Sequence, residues 1–159
     1  MKNILLIASS LILFSACQTT DDGKSSMTPL QIQSLQTRDY PNNHNIVFRS
    51  VVSVFQDLGY TIKSADISTG FIQADGTASS NEALKVLFGA TKTEQTKATG
   101  FVERIGNRTR VRLNFVHSIE SSTVYGAADR KESPILDAHV YQNAFEKVDS
   151  AIFLRSSSN

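Results

Sequence analysis

Apolar residues at helical spacing predict an amphipathic helix that begins near Asn43. They recur at intervals of four, three, one and three positions: Val47, Val51, Val54, Phe55 and Leu58. This spacing places one apolar stripe along a helix. Asn43 is a favourable N-cap and Gly59 suits a left-handed C-cap, so the sequence defines both ends of the helix.

A two-residue period predicts strands on both sides of this helix. Leu30, Ile32 and Leu35 alternate with glutamines, which favours a first strand running towards Arg38. After the helix, Tyr60–Asp66 alternates in the same way. Ser68–Gly70 has turn composition and Phe71–Ala74 is again extended, so these segments predict a hairpin.

A second hairpin is predicted between Phe101 and Ile119, because Gly106–Asn107 suits a two-residue turn. The turn fixes the cross-strand pairs, which are Ile105 with Arg108, Glu103 with Arg110, and Val102 with Val111. Alternation then divides the second strand into an inner apolar face and an outer basic face. The inner face carries Val111, Leu113 and Phe115, and the outer face carries Arg108, Arg110 and Arg112.

Two further helical segments and a long loop complete the pattern. Ser79 with Glu82 forms a candidate capping box, which predicts a short helix or helical loop around residues 84–88. A loop is expected over Ser121–Pro134. After it, a terminal helix ending near Leu154 is predicted from apolar residues at intervals of four, three and four: Tyr141, Phe145, Val148 and Ile152.

The order of these elements predicts an α+β fold. Strands joined by tight turns are antiparallel, and two amphipathic helices need one apolar surface to cover. We therefore expect an antiparallel sheet with two amphipathic helices packed on one face.

The N-terminus resembles the signal peptide of a bacterial lipoprotein. Lys2 precedes the apolar run Ile4–Phe14, which covers only about half of the roughly 20 residues that a membrane-spanning helix needs. Ser15 and Ala16 are small and precede Cys17, the single cysteine of the chain. The pattern departs from the usual lipobox at Phe14, where leucine is common. The alternative is an ordinary signal peptide in which Cys17 occurs by chance.

This resemblance implies that residues 1–16 are a cleaved signal peptide and that Cys17 is the lipidation site. Residues 17–28 are polar and predict a lipidated flexible tether, and 29–159 then form a single α+β domain. Gln18 follows the cysteine, whereas aspartate there marks retention in the inner membrane of enterobacteria. The expected location is the periplasmic face of the outer membrane, where the protein is held by a lipid anchor.

Composition limits the chemistry available to the chain. It has 16 Lys and Arg and 15 Asp and Glu, and loss of Lys2 with the signal peptide leaves a formal net charge of zero. Nothing in this balance recommends a nucleic-acid partner. Acylation of Cys17 would leave no thiol for a disulfide or a metal site.

Catalytic, metal and cofactor sites have no sequence signature here. His44, His117 and His139 fall in three different elements without the spacing of a metal site. Motifs for nucleophilic, phosphate-binding or zinc-protease chemistry are absent from the sequence. An enzyme is therefore disfavoured, although scattered catalytic carboxylates leave no such signature.

The basic stripe of Arg108, Arg110 and Arg112 is the main candidate for partner binding, with Arg104 and Arg130 as neighbours. It suits acidic lipid head groups, lipopolysaccharide phosphates or an acidic partner protein. The alternative is an ordinary solvated strand face, because Glu103 is expected opposite Arg110. Tyr125, in the predicted long loop, is a second candidate because such loops are often functional.

Three segments resemble a family of uncharacterised proteobacterial outer-membrane lipoproteins. They are Gln56–Ile62, Gly70–Asp75 and Tyr141–Phe145 with the later pair Phe153–Leu154. These are core and turn residues, so the resemblance implies a fold and a location but no activity.

The sequence supports three hypotheses about function. The first is a lipid-anchored binding or scaffold protein that faces the periplasm and is accessory to an envelope complex, with an envelope protein as its partner. The second is a carrier of a lipid or other small apolar ligand, and the third is an envelope hydrolase.

Overall fold

A computed structural model describes residues 27–80, 91–122 and 128–157. Within these ranges the chain forms three helices, α1 (Pro29–Gln36), α2 (His44–Asp57) and α3 (Ala138–Ser157). It also forms seven strands: β1 (Thr37–Tyr40), β2 (Thr61–Asp66), β3 (Phe71–Asp75), β4 (Ser79–Ser80), β5 (Thr91–Ile105), β6 (Arg108–Ser122) and β7 (Ala128–Pro134). The predicted α+β class is confirmed. None of these helices combines the length and hydrophobicity that crossing a membrane requires.

The strands form one antiparallel sheet in the order β1-β6-β5-β3-β2, with β4 added beside β5 and β7 beside β6. Its centre is the hairpin of β5 and β6, which are 15 residues each. Gly106 has a φ of 60°, as the predicted turn requires. Ile105 lies opposite Arg108 and Val102 lies opposite Val111. The predicted register is confirmed.

Helices α2 and α3 pack on the same face of the sheet, as predicted. Phe115 of β6 lies between them, with its ring centroid 6.2 Å from that of Phe55 in α2 and 5.3 Å from that of Tyr141 in α3. The backbone N–H of Phe115 also donates to the Tyr141 hydroxyl, at 3.4 Å. The core therefore fills the layer between the helices and the sheet.

The predicted limits of α2 are also confirmed. The Asn43 side chain accepts a hydrogen bond from the backbone N–H of Asn45 at 2.9 Å. Gly59 follows the helix with a φ of 85°, a conformation that glycine adopts without a steric penalty.

The prediction of a strand over Leu30–Arg38 is wrong for most of its length, because residues 29–36 form α1. Thr28 and Gln31 make a capping box: Thr28 N–H donates to Gln31 Oε1 at 2.8 Å, and Gln31 N–H donates to Thr28 Oγ1 at 3.3 Å. Pro29 occupies the first helical position, where its missing N–H costs nothing. Leu30 is 75% exposed, so its apolar side chain did not indicate a buried strand face.

The predicted loop over Ser121–Pro134 is also wrong, because most of it is strand. β6 continues to Ser122, and β7 pairs with it along residues 116–122. β7 is exposed and charged, and ion pairs join its Glu132 to Lys97 of β5 and its Arg130 to Glu120 of β6.

Several predictions fall wholly or partly outside the described residues, among them the signal peptide, Cys17 and most of the tether. Tyr125 belongs to the undescribed segment 123–127. Ser79 begins strand β4 instead of capping a helix, and its pairing partner is Glu94. Glu82 and the predicted helix around residues 84–88 lie outside the described residues.

The terminal helix continues to Ser157, three residues beyond its predicted end. Arg38 of β1 binds it: Nη1 lies 2.9 Å from Asp149 Oδ2, and the guanidinium lies 4.8 Å from the centre of the Phe145 ring. This contact joins the edge strand to the helical layer.

Candidate interaction surface

The three arginines of the predicted stripe lie on the sheet face opposite α2 and α3. Their positions alternate along β6 with the buried residues Val111 and Leu113. Arg108 and Arg112 are exposed, and Arg110 is half-buried. We call this side of the sheet the open face, because α2 and α3 pack on the other side.

Arg110 is not free to bind a partner. Its Nε donates to Asp39 Oδ1 at 2.7 Å, and its Nη2 donates to Asp39 Oδ2 at 2.9 Å. The predicted Cα pairing with Glu103 is confirmed, but the guanidinium binds the carboxylate on the other neighbouring strand. These hydrogen bonds from Arg110 lower the pKa of Asp39.

The other two arginines differ in their contacts. Arg108 Nη2 donates to the backbone oxygen of Asp39 at 3.1 Å. Arg112 makes no side-chain hydrogen bond or ion pair with any described residue. Its charge is therefore available to a partner, which makes it the strongest candidate of the stripe.

An aromatic pair lies beside Arg112 on the open face. Phe71 of β3 is opposite Phe101 of β5, and Phe101 is in turn opposite Arg112 of β6. Phe71 and Phe101 are 42% and 40% exposed. Neither residue was predicted as a site from the sequence, although alternation from the inward-facing Val102 places Phe101 on the arginine face.

Arg104 and Arg130 do not join the stripe. Arg104 is opposite the buried Thr109, and it lines a cleft beside the β5–β6 turn. Arg130 lies in β7, where it binds Glu120 near the other end of β6. The five arginines therefore lie in three separate places: on the open face, beside the β5–β6 turn and in β7.

The described residues contain no cluster of three or more His, Cys, Asp or Glu side chains suited to a metal ion. His44 lies in α2, His117 in β6 and His139 in α3. Cys17 and Tyr125, the other candidate residues, are outside the described ranges.

A groove of about 390 Å³ lies on the helical side of the molecule, between α2, β2 and the end of α3. Its apolar walls include Phe48, Val52 and Ile67, and Arg49 and Arg155 supply positive charge. Arg155 Nη2 donates to the Ser53 hydroxyl at 3.1 Å. This combination suits an elongated apolar molecule with an acidic end.

No protein-family model matches the chain, and no curated protein matches it significantly.

Proposed function

We propose that this protein is a lipid-anchored binding or scaffold protein on the periplasmic face of the outer membrane, accessory to an envelope complex. The location rests on the pattern from Lys2 to Cys17, on the polar segment that follows, and on the resemblance of Gln56–Ile62 to outer-membrane lipoproteins. The binding role rests on the open face.

The observation that carries the proposal is the aromatic pair Phe71 and Phe101 beside Arg112, which has no ion-pair partner among the described residues. Protein interfaces commonly combine an aromatic centre with a polar rim, and arginine is enriched in them. The pair supplies exposed apolar area, and burying that area against a partner is favourable. Arg112 and Arg108 supply positive charge at its edge.

This arrangement favours a protein partner that presents an apolar contact surrounded by acidic side chains. Opposite charges steer such partners together and set their orientation. Since Arg110 is already bound to Asp39, the charge complementarity depends on Arg108 and Arg112.

In-cell photo-crosslinking tests this proposal. A photoreactive residue at Gln73, which is exposed next to Phe71 on β3, should yield a crosslinked envelope protein. The same residue at Lys147, exposed on the helical side of the molecule, should not. Arg112→Glu should abolish the Gln73 crosslink, and Lys147→Glu should leave it intact.

A Gln73 crosslink that survives Arg112→Glu would contradict the proposed partner chemistry. So would crosslinks only to lipid, because these would identify a membrane surface as the occupant of the open face. If the probe at Lys147 captured a protein and the probe at Gln73 captured none, the partner would bind the helical side and not the open face.

The groove between α2, β2 and α3 favours a second candidate, a carrier of a lipid or other small apolar ligand. Its apolar walls could contact an acyl chain, with Arg155 near the acidic head. Known ligand sites bury most of their ligand, whereas this groove is open along one side, so the first proposal is preferred. Native mass spectrometry after gentle extraction separates the two, because a carrier would retain a small molecule.

A further inference from the structure

A small cleft lies where the loop before α2 meets the β5–β6 turn. Residues 41–44 form one wall, and Arg104, Asn107 and Arg108 contribute to the other. Its volume is about 270 Å³, below the usual range for drug-sized ligands. We call it the turn cleft; it shares Arg108 with the open face and adds Arg104, which the open face does not use.

Hydrogen bonds hold the two walls in place. Thr109 Oγ1 donates to the backbone oxygen of Asn42 at 2.8 Å. His44 Nε2 lies 3.0 Å from the backbone oxygen of Val102, so the ring nitrogen donates to β5. Since each wall is tied to the other, the turn cleft exists before any ligand arrives.

The charged side chains that line the turn cleft have one sign. Arg104 and Arg108 line it, and none of the described residues that line it is acidic. The first turn of α2 also carries no acidic residue. The nearby Asp39 carboxylate is bound to Arg110, so it does not neutralise these arginines.

The guanidinium groups keep donors for a ligand. Arg104 makes no side-chain hydrogen bond or ion pair with any described residue, and Arg108 has one hydrogen bond, to the Asp39 backbone. Guanidinium groups match the paired oxygens of phosphate in geometry and charge. The neutral side chains of Asn43 and Asn107 add amide donors to the same walls.

We propose that the turn cleft binds a phosphate-type oxoanion, either free phosphate or the phosphoryl group of a lipid head group. The two arginines and the small volume select a compact anion over a large apolar ligand. Arg104 faces away from the open face, so its substitution tests this site separately from the partner proposed above.

Calorimetric titration of the full chain in phosphatidylcholine nanodiscs tests the site. Inorganic phosphate should bind, and Arg104→Gln should weaken binding by about ten-fold or more. Arg112→Gln is the matched control, because it removes the same charge from an unpaired arginine outside the turn cleft. It should change the affinity by less than about three-fold. Unchanged melting temperatures would show that both variants fold.

Soluble short-chain phosphatidylglycerol, compared with short-chain phosphatidylcholine, distinguishes the two sources of the anion. Binding of phosphatidylglycerol that is competed by phosphate and lost in Arg104→Gln identifies a lipid head group. Binding of phosphate alone identifies a free phosphate. Equal weakening by Arg104→Gln and Arg112→Gln, or no binding of either probe, would overturn the proposal.

Discussion

Arg110 of β6 holds Asp39 of β1 by two hydrogen bonds, Nε to Oδ1 at 2.7 Å and Nη2 to Oδ2 at 2.9 Å. Strand β1 has only four residues, and among the described strands it pairs with β6 alone. The paired contact therefore adds side-chain attachment to a short ladder of backbone hydrogen bonds.

Asp39→Asn should make the protein less stable at neutral pH and remove part of its acid sensitivity. The folded state lowers the pKa of Asp39 below its ordinary value of 3.8. The ionised carboxylate therefore stabilises the fold above pH 3.8, and this stabilisation is lost as the pH falls through the folded-state pKa. The melting temperatures of the variant and the unmodified protein should therefore approach each other only as the pH falls below 3.8.

Thermal melts across a pH series measure this convergence. Asp57→Asn is the control, because Asp57 is exposed and makes no ion pair with a described residue. A difference between Asp39→Asn and the unmodified protein that stays constant into the acid range would rule out the proposed linkage.

Phe55→Ala and Phe145→Ala should each lower the free energy of unfolding by about 3–5 kcal/mol. Both side chains are buried, one on each helix of the layer that covers the sheet. Chemical denaturation of Phe153→Ala provides the comparison, because Phe153 lies on the same helix as Phe145 but is 71% exposed. It should change stability by less than about 0.5 kcal/mol. Similar losses in all three variants would contradict the assigned helix faces.

Gly70→Ala should be far more damaging than Gly59→Ala. Both glycines have positive φ angles, but a Cβ at Gly70 would lie 1.9 Å from the Val102 backbone oxygen, whereas one at Gly59 would meet no atom within 4 Å. We expect a loss of about 2–4 kcal/mol at Gly70 from backbone strain and collision together, and about 1–2 kcal/mol at Gly59 from strain alone. Equal losses, measured by denaturant titration, would show that the turn moves to make room.

Cys17→Ser should block lipid attachment and leave the uncleaved precursor in the inner membrane, because the modified thiol is the substrate of lipoprotein processing. Labelling with a fatty-acid analogue and intact-mass measurement check the result. Thr19→Ser, which keeps the cysteine, should still be acylated and cleaved. A mature-sized acylated product from Cys17→Ser would exclude Cys17 as the anchor.

The parts of the fold that short-range chemistry determines were predicted from the sequence. Gly106–Asn107 sets the turn, and alternation on both sides then sets the register from Val102 opposite Val111 outwards. Local signals can also compete, as at Leu30–Gln36. There the alternation of apolar residues suggested a strand, while the Thr28–Gln31 capping box and Pro29 determine a helix.

Contacts that depend on distant chain segments were not predictable in this way. β7 is a charged edge strand with no apolar face, and it is extended because β6 offers backbone partners to it. Arg110 binds Asp39 and not Glu103, which could be predicted only if the position of β1 beside β6 were known. The same limit applies to the turn cleft, whose walls lie about 60 residues apart in sequence.

The β5–β6 hairpin is long enough to have two regions whose backbone amides are unequally protected from solvent. Residues 98–102 and 109–115 lie under the helices, and every second residue in these segments is buried. In the described segments 91–97 and 116–122, Ser118 alone is buried. Polar pairs such as Thr91 with Ser122 hold that far end. We expect a hairpin built in this way to open from its far end while the core stays closed, so its amide hydrogens should exchange with solvent in a gradient along a single pair of strands.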